Sequence, residues 1–276
     1  MSLVVQGPRA RERDLQELAR LCHATGVEPL GRNGFRIRTS SAVGDVSEWC
    51  EAHRLDCAWV PEGRRFADLK LLAMDMDSTL ITIECIDELG SLCDKKEEIA
   101  AITAQAMRGE IAYAESLRRR VALLAGLEEA ALQEVYDEKL RLSPGAEQLV
   151  GECKRHGVKT LLVSGGFGFF TERLKDRLGL DETLFNLLDI DQGRLTGRVL
   201  GSIVDADEKA AKFSAVAKRL GAAPAQTVAI GDGANDLKMM AAAGTSIAFR
   251  AKPAVRAQAT HALDYSGLDG VINLFE

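Results

Sequence analysis

The sequence predicts an α/β protein: a parallel-sheet core with an inserted helical cap, preceded by a small N-terminal α/β domain. Three observations carry that expectation. First, short apolar runs of strand length recur, "LLAM" at 71–74, "KTLLV" at 159–163, "TVAIG" at 227–231 and "TSIAF" at 245–249, and such runs suit strands buried on both faces. Second, residues 85 to about 140 contain no Pro and read almost entirely as helix, so the first two core strands are separated by an insert rather than by one crossover helix. Third, residues 3–60 alternate strand and helix patterns by themselves.

Taken in order, 3–6 reads as a strand, about 11–25 as a helix, 35–39 as a strand, about 44–53 as a helix and 57–60 as a strand. "PEGRRFADLK" at 61–70 then reads as a charged linker, so 1–69 is expected to form a small α/β domain whose job its residues do not reveal, a regulatory role being left open, and 70–276 the remainder. The cap is expected at about 85–143, with turns at Gly109 and Gly126. "SPGAEQLV" opens a further helix, with Pro144 near its first turn. The strand at 159–163 empties into a Gly-Gly turn, and 186–204 reads as a hairpin around "DQG". A helix around 207–220 precedes the strand at 227–231, which runs into "DGANDLKMM". An insert at the carboxyl end of the first core strand would sit above whatever site lies there, where it can exclude water and read a substrate.

Composition narrows the function classes. The 276 residues are 46% hydrophobic and 28% charged, ordinary for a soluble globular protein. A net charge of −6 without a basic stripe argues against nucleic-acid binding. No stretch approaches the roughly 18 apolar residues of a membrane span, and "MSLVVQGPRARERD" is no secretory signal. The six cysteines contain no C-x-x-C pair and there are only four histidines. That excludes zinc-ligand spacing, points to reduced thiols in a cytoplasmic protein, and leaves oxygen ligands for any metal.

Chemistry is concentrated where the core strands end. Asp75 and Asp77 follow 71–74 directly, with Ser78 and Thr79 after them. Taken alone, this stretch fits a turn-capping acid with a solvated neighbour as well as it fits a site. Ser164-Gly165-Gly166 ends the second strand, however, and Asp232, Asn235 and Asp236 end the third. Ligands of parallel α/β sheets bind outside the carboxyl ends of the strands. Converging carboxylates with almost no His or Cys make a hard-cation site, which Mg²⁺ fits better than Zn²⁺. The Ser-Gly-Gly turn offers a hydroxyl and backbone N–H groups to an anion, and Lys209 could add a positive charge, although alone it would read as a solvated helix-start lysine. A carboxylate, a hard cation, an anion cradle and a lysine together describe phosphoryl transfer.

"DMDST", "VSGG", Lys209 and "GDGAND" stand in the order and spacing of the haloacid-dehalogenase-like phosphatases, and the chain resembles that family over roughly 71–276. The longer run "DMDSTLITIECIDELG…SLRRRV…LLVSGGF…DADEKAAK" is similar to its phosphoserine phosphatase members; 1–69 lies outside the likeness. The resemblance implies a Rossmann-like core and a Mg²⁺-dependent hydrolysis of O-phospho-L-serine to L-serine and phosphate, the last step of serine biosynthesis. It implies Asp75 as the nucleophile that forms an aspartyl-phosphate and Asp77 as the acid and base. Mg²⁺ would be held by Asp75, the Asp77 carbonyl and Asp232, with Asp236 and Thr79 supporting. Ser164, Gly165 and Lys209 would hold the phosphoryl group with Asn235 nearby; Lys212, three residues on, competes with Lys209 for that assignment.

Within the cap, Leu117, Val121 and Leu124 make one apolar stripe. At about 100° per residue Arg120 lies about 60° from Leu117 and about 40° from Leu124, whereas Arg119 turns to solvent. Arg120 is therefore either a packing residue paired with a local acid or a carboxylate clamp. The resemblance implies the clamp, with Glu84 facing the substrate ammonium; otherwise Glu84 reads as a helix-start acid. Tyr113 and Met107 read as cap packing. The expected partner is the small-molecule substrate, with no nucleic acid and no membrane, and a homodimer is left open. The same residues also suit a phosphotransferase or a broader small-molecule phosphomonoesterase. A non-catalytic amino-acid-sensing regulator, acting through 1–69, would need no such nucleophile.

Overall fold

The computed structural model describes residues 1–8, 10, 12–31, 33–39 and 46–276, the side chains of 12–14 excepted. The N-terminal unit comprises β1 (Ser2–Gln6), α1 (Glu12–Leu21), β2 (Ala24–Leu30), β3 (Gly34–Thr39), α2 (Val46–Ala52) and β4 (Asp56–Val60). Its antiparallel strands run in the order β2-β3-β1-β4. The predicted start of the second helix, at about 44, lies outside the described residues. The first helix stops at Leu21 instead of about 25, and 24–30 forms a strand that the sequence hid behind Gly26 and Pro29. Both residues are tolerated there because β2 is an edge strand.

β1 is buried along its whole length because both faces are covered. Leu3 and Val5 pack with Leu15, Leu18 and Cys50. Val4 packs with Ala58, Val60, Phe66 and the main core on the other side. The expected charged linker thus has buried anchors at Phe66 and Leu69. Polar contacts add to this seam: Gln6 Nε2 donates to the Gly270 carbonyl at 3.0 Å, and Arg36 Nη2 to that of Phe275 at 2.8 Å. Asp56 accepts from the backbone N–H groups of Asp264, Tyr265 and Ser266.

The core follows. β5 (Leu71–Met74) leads into the cap helices α3 (Cys85–Leu92), α4 (Lys96–Met107), α5 (Tyr113–Ala122) and α6 (Ala130–Glu134). The chain returns through α7 (Ala146–His156), β6 (Lys159–Phe167), α8 (Gly168–Leu178) and the hairpin β7 (Glu182–Asp191) and β8 (Arg194–Leu200). It continues with α9 (Ala206–Arg219), β9 (Thr227–Gly231), α10 (Leu237–Ala242), β10 (Thr245–Phe249), α11 (Pro253–Arg256) and β11 (His261–Leu263), and a short 3-10 helix at Leu268–Leu274 follows. The sheet order is β11-β10-β9-β5-β6-β7-β8, parallel except for β7-β8. The expected α/β class, parallel core and inserted helical cap are all present.

Two features position the site. β5 is where the strand order reverses, with β6 on one side and β9 on the other, so a crevice opens at its carboxyl end. The cap is held above that crevice by its antiparallel entry and exit segments, where Ile81 bridges Leu142, and by the hairpin, where Gly126 N–H donates to the Leu195 carbonyl at 2.8 Å.

Candidate active site

The register sets Met74 of β5 level with Leu162 of β6 and Ile230 of β9, so the polar residues after each strand converge. Asp75 N–H closes the last strand bond, donating to the Ile230 carbonyl at 3.0 Å. The chain then turns sharply through Ser78, at φ 56°, whose hydroxyl donates to Glu84 Oε1 at 2.7 Å. This turn returns Asp77 to the crevice, where its Oδ1 accepts from the Cys85 N–H at 2.9 Å.

On the floor, Lys209 Nζ donates to Asp75 Oδ1 at 2.7 Å and to Asp236 Oδ1 at 2.8 Å. Thr79 Oγ1 donates to Asp232 Oδ1 at 3.3 Å. Asp236 fits because Gly231 has no side chain; a Cβ there would lie 2.5 Å from the Asp236 carboxyl carbon. Burial and then the Asp236 charge push Asp75 well above the usual carboxylate range. Asp232 is pushed up to about 7 by burial and then by Asp236. Asp77 also rises to about 7, through burial and then Glu84. Burial pulls Lys209 down, but the Asp236 and Asp75 charges outweigh it and hold the ammonium protonated. Lys212 instead pairs with Glu182 at 2.9 Å, so of the two lysines it is Lys209 that reaches the floor carboxylates.

Carboxylate oxygens of Asp75, Asp232 and Asp236 lie within 4.8 Å of one another. Two buried acids, Asp75 and Asp236, with a half-buried Asp232 and one lysine leave about two negative charges uncompensated, which is why Asp75 and Asp232 resist ionisation. An all-oxygen donor set with that surplus fits a divalent hard cation, which would bring the Asp75 and Asp232 carboxyls back down.

The wall beside the floor is the end of β6, where Ser164, Gly165 and Gly166, expected as a turn, instead continue the strand to Phe167 through an irregularity in its pairing with β7. Ser164 is fully buried and its Oγ accepts from the Gly166 N–H at 2.8 Å. Gly166 brings backbone against the acid, since a Cβ would sit 2.6 Å from Asp77 Oδ2. The Gly165 carbonyl is held by Asn186 Nδ2 at 2.8 Å and by the Tyr113 hydroxyl at 3.3 Å, so Tyr113 joins cap to core and does more than pack.

A cavity of about 670 Å³ lies between core and cap. Asp75, Asp77, Glu84, Arg120, Asp232 and Asn235 line it, together with Gly165. Thr79, Ser164, Lys209 and Asp236 stand outside that lining and act on it through their bonds to lining groups. Arg120 enters from α5 with its Nε buried and without a hydrogen-bond partner. Arg119 points outward and pairs with Glu115 at 2.7 Å on the surface.

A family model described as haloacid dehalogenase-like hydrolase matches residues 72–241. The chain belongs to that family. Among relatives, it is 53% identical over 215 residues to the phosphoserine phosphatase of Polaromonas sp., covering 76% of this chain and 91% of that one. The structure of a probable phosphoserine phosphatase from Vibrio cholerae superposes with a TM-score of 0.87 at 36% identity, over 99% of this chain and 85% of that one. A substrate-bound phosphoserine phosphatase complex superposes with a TM-score of 0.71 at 35% identity, over 75% of this chain and 99% of that one.

This haloacid dehalogenase-like hydrolase also places groups at the site that sequence reasoning passed over. Asn186, fully buried, holds the Gly165 carbonyl and accepts from Val204 N–H at 2.9 Å; a lone Asn within the apolar run "LFNLL" was the available signal. Asp87, Ser116 and Lys252 line the cavity as well. Ser116 stands four residues before Arg120, a spacing that puts both on one helix face. Among the described residues no helix is long and apolar enough to cross a membrane.

Proposed function

We propose that the chain is a Mg²⁺-dependent phosphoserine phosphatase that releases L-serine and phosphate. The observation that carries the reading is the pairing of one cavity's two ends. Asp75 stands on the floor, tied to Lys209, and an Arg120 guanidinium whose Nε has no hydrogen-bond partner stands on the cap, near Glu84. A substrate with phosphate at one end and a carboxylate and an ammonium at the other matches that charge order.

In this reading Asp75 Oδ attacks phosphorus, the bond from phosphorus to the serine oxygen breaks, and Asp77 gives that oxygen a proton. Asp77, held by the Cys85 N–H, then takes a proton from the water that hydrolyses the aspartyl-phosphate, which regenerates Asp75 and frees phosphate. Mg²⁺ held by Asp75, the Asp77 carbonyl and Asp232, with Asp236 supporting, would neutralise phosphoryl charge. Lys209, Ser164, Gly165 and Asn235 orient the phosphoryl group, Arg120 grips the carboxylate, Glu84 meets the ammonium and Thr79 steadies Asp232. The family's relatives support this reading by name. All six cysteines are free thiols, which favours a cytoplasmic setting.

The test is phosphate release from phosphoserine, phosphothreonine, phosphoglycolate and phosphoethanolamine, with Mg²⁺ and after chelation. Preference for phosphoserine, lost on chelation and regained with Mg²⁺, is expected. Equal rates across the panel would turn the reading into a broad phosphomonoesterase.

A further inference from the structure

We propose that Ser116 is a second substrate-binding group of the cap, its hydroxyl donating to the substrate carboxylate alongside Arg120; this rests on the phosphoserine reading above. Ser116 is 0% exposed and its Oγ has no hydrogen-bond partner. A buried hydroxyl left unpaired is costly, and native interiors rarely keep one without a use. The other two hydroxyls lining the cavity are engaged. Thr103 donates to the Ile99 carbonyl at 3.0 Å and Tyr113 to that of Gly165 at 3.3 Å. Ser116 does not fall back on its own helix, where the Ala112 carbonyl accepts only its backbone N–H.

Position names the ligand group. Ser116 and Arg120 are four residues apart on α5, so their Cβ atoms are neighbours on one face. Both line the cavity and both carry an orphan polar atom, Oγ and Nε. An anion that satisfies the guanidinium is within reach of the hydroxyl, and a carboxylate has lone pairs for both. The substrate ammonium belongs with the acids of the same lining, Glu84 and Asp87.

Ser116→Ala tests this by kinetics and melting together. The expected result is a KM for phosphoserine raised about tenfold or more with kcat within about twofold, as for loss of one hydrogen bond to a charged partner. Phosphoethanolamine, which keeps the amine and lacks the carboxylate, should show no change in KM. Because no native bond is lost, the substrate-free melting temperature should hold or rise. A fall in melting temperature, or equal KM increases for both substrates, would make Ser116 a packing residue and overturn the proposal. Wild type is measured in parallel: if it shows no preference for phosphoserine over phosphoethanolamine, the substrate reading itself fails and takes the proposal with it.

Discussion

Lys209 Nζ stands 2.7 Å from Asp75 Oδ1, with the two side chains 1% and 8% exposed. The lysine reaches this position because α9 starts firmly: Asp205 caps it, accepting from the N–H groups of Asp207 and Glu208, and Lys209 falls on the inward face of the first turn. It then shares its charge between Asp75 and Asp236. A buried ion pair contributes little net stability when intact, but breaking it strands a charge.

Lys209→Met keeps length and removes the charge, leaving Asp75, Asp232 and Asp236 together without a cation. A loss of about 3–5 kcal/mol of stability in metal-free buffer is expected. Added Mg²⁺ should raise the melting temperature of the variant more than that of wild type. A metal-free variant as stable as wild type would show that the pair is energetically idle.

His261 on β11 gives a pH test away from the cavity. Burial, and then the nearby Arg64 charge, lower its pKa from 6.5 to about 4. Above pH 6.5 the ring is neutral in both folded and unfolded chains, and its contribution is complete. As pH falls from 6.5 to 4 the unfolded chain takes up the proton first, so stability is lost across that window. At 1.36 kcal/mol per pH unit the loss approaches about 3 kcal/mol. Denaturant melts of wild type and His261→Gln at pH 7 and pH 4 should shift by that amount in favour of the variant. Parallel pH profiles would place the ring in water.

The core was legible because β5, β6, β9 and β10 are covered on both faces, so their apolar runs stop abruptly at the polar site residues. Arg120 and Arg119 were separable because helical rotation alone assigns their faces. β2 was not legible, since edge position decides its strand state against Gly26 and Pro29. Asn186 and Ser116 were missed for a different reason. Each acquires its meaning from a group on another element, the Gly165 carbonyl for one and the cavity for the other.

The N-terminal unit is expected to behave as part of one fold. Asp56 accepts from three consecutive N–H groups at 264–266, and Arg36 binds the carbonyls of Asn273 and Phe275. Asp56→Ala leaves those N–H groups without their acceptor and should cost about 1–3 kcal/mol. Deleting residues 1–60 uncovers Phe66 and Leu69 and should lower the melting temperature further. Two separate unfolding transitions in the full chain, with Asp56→Ala moving only the first, would instead describe independent domains.

Arg120 and Arg119 are neighbours in sequence with opposite expectations. Arg119 forms an exposed pair with Glu115, of a kind worth about 0.3–0.5 kcal/mol, so Arg119→Ala should keep wild-type kcat/KM. Arg120 lines the cavity with an Nε that has no hydrogen-bond partner, so its hydrogen bonds are left for an arriving anion. Charge-assisted bonds of this type contribute about 1.5–3 kcal/mol. At 1.36 kcal/mol per decade, Arg120→Ala should lower kcat/KM for phosphoserine roughly ten- to a hundredfold. Phosphoethanolamine has nothing for the guanidinium to hold, and its kcat/KM should not change. Arg120 and Ser116 would share one carboxylate, so the double variant should lose less than the two single losses combined. A uniform loss on both substrates would identify Arg120 as a packing residue of the cap and remove the main argument for a carboxylate-bearing substrate.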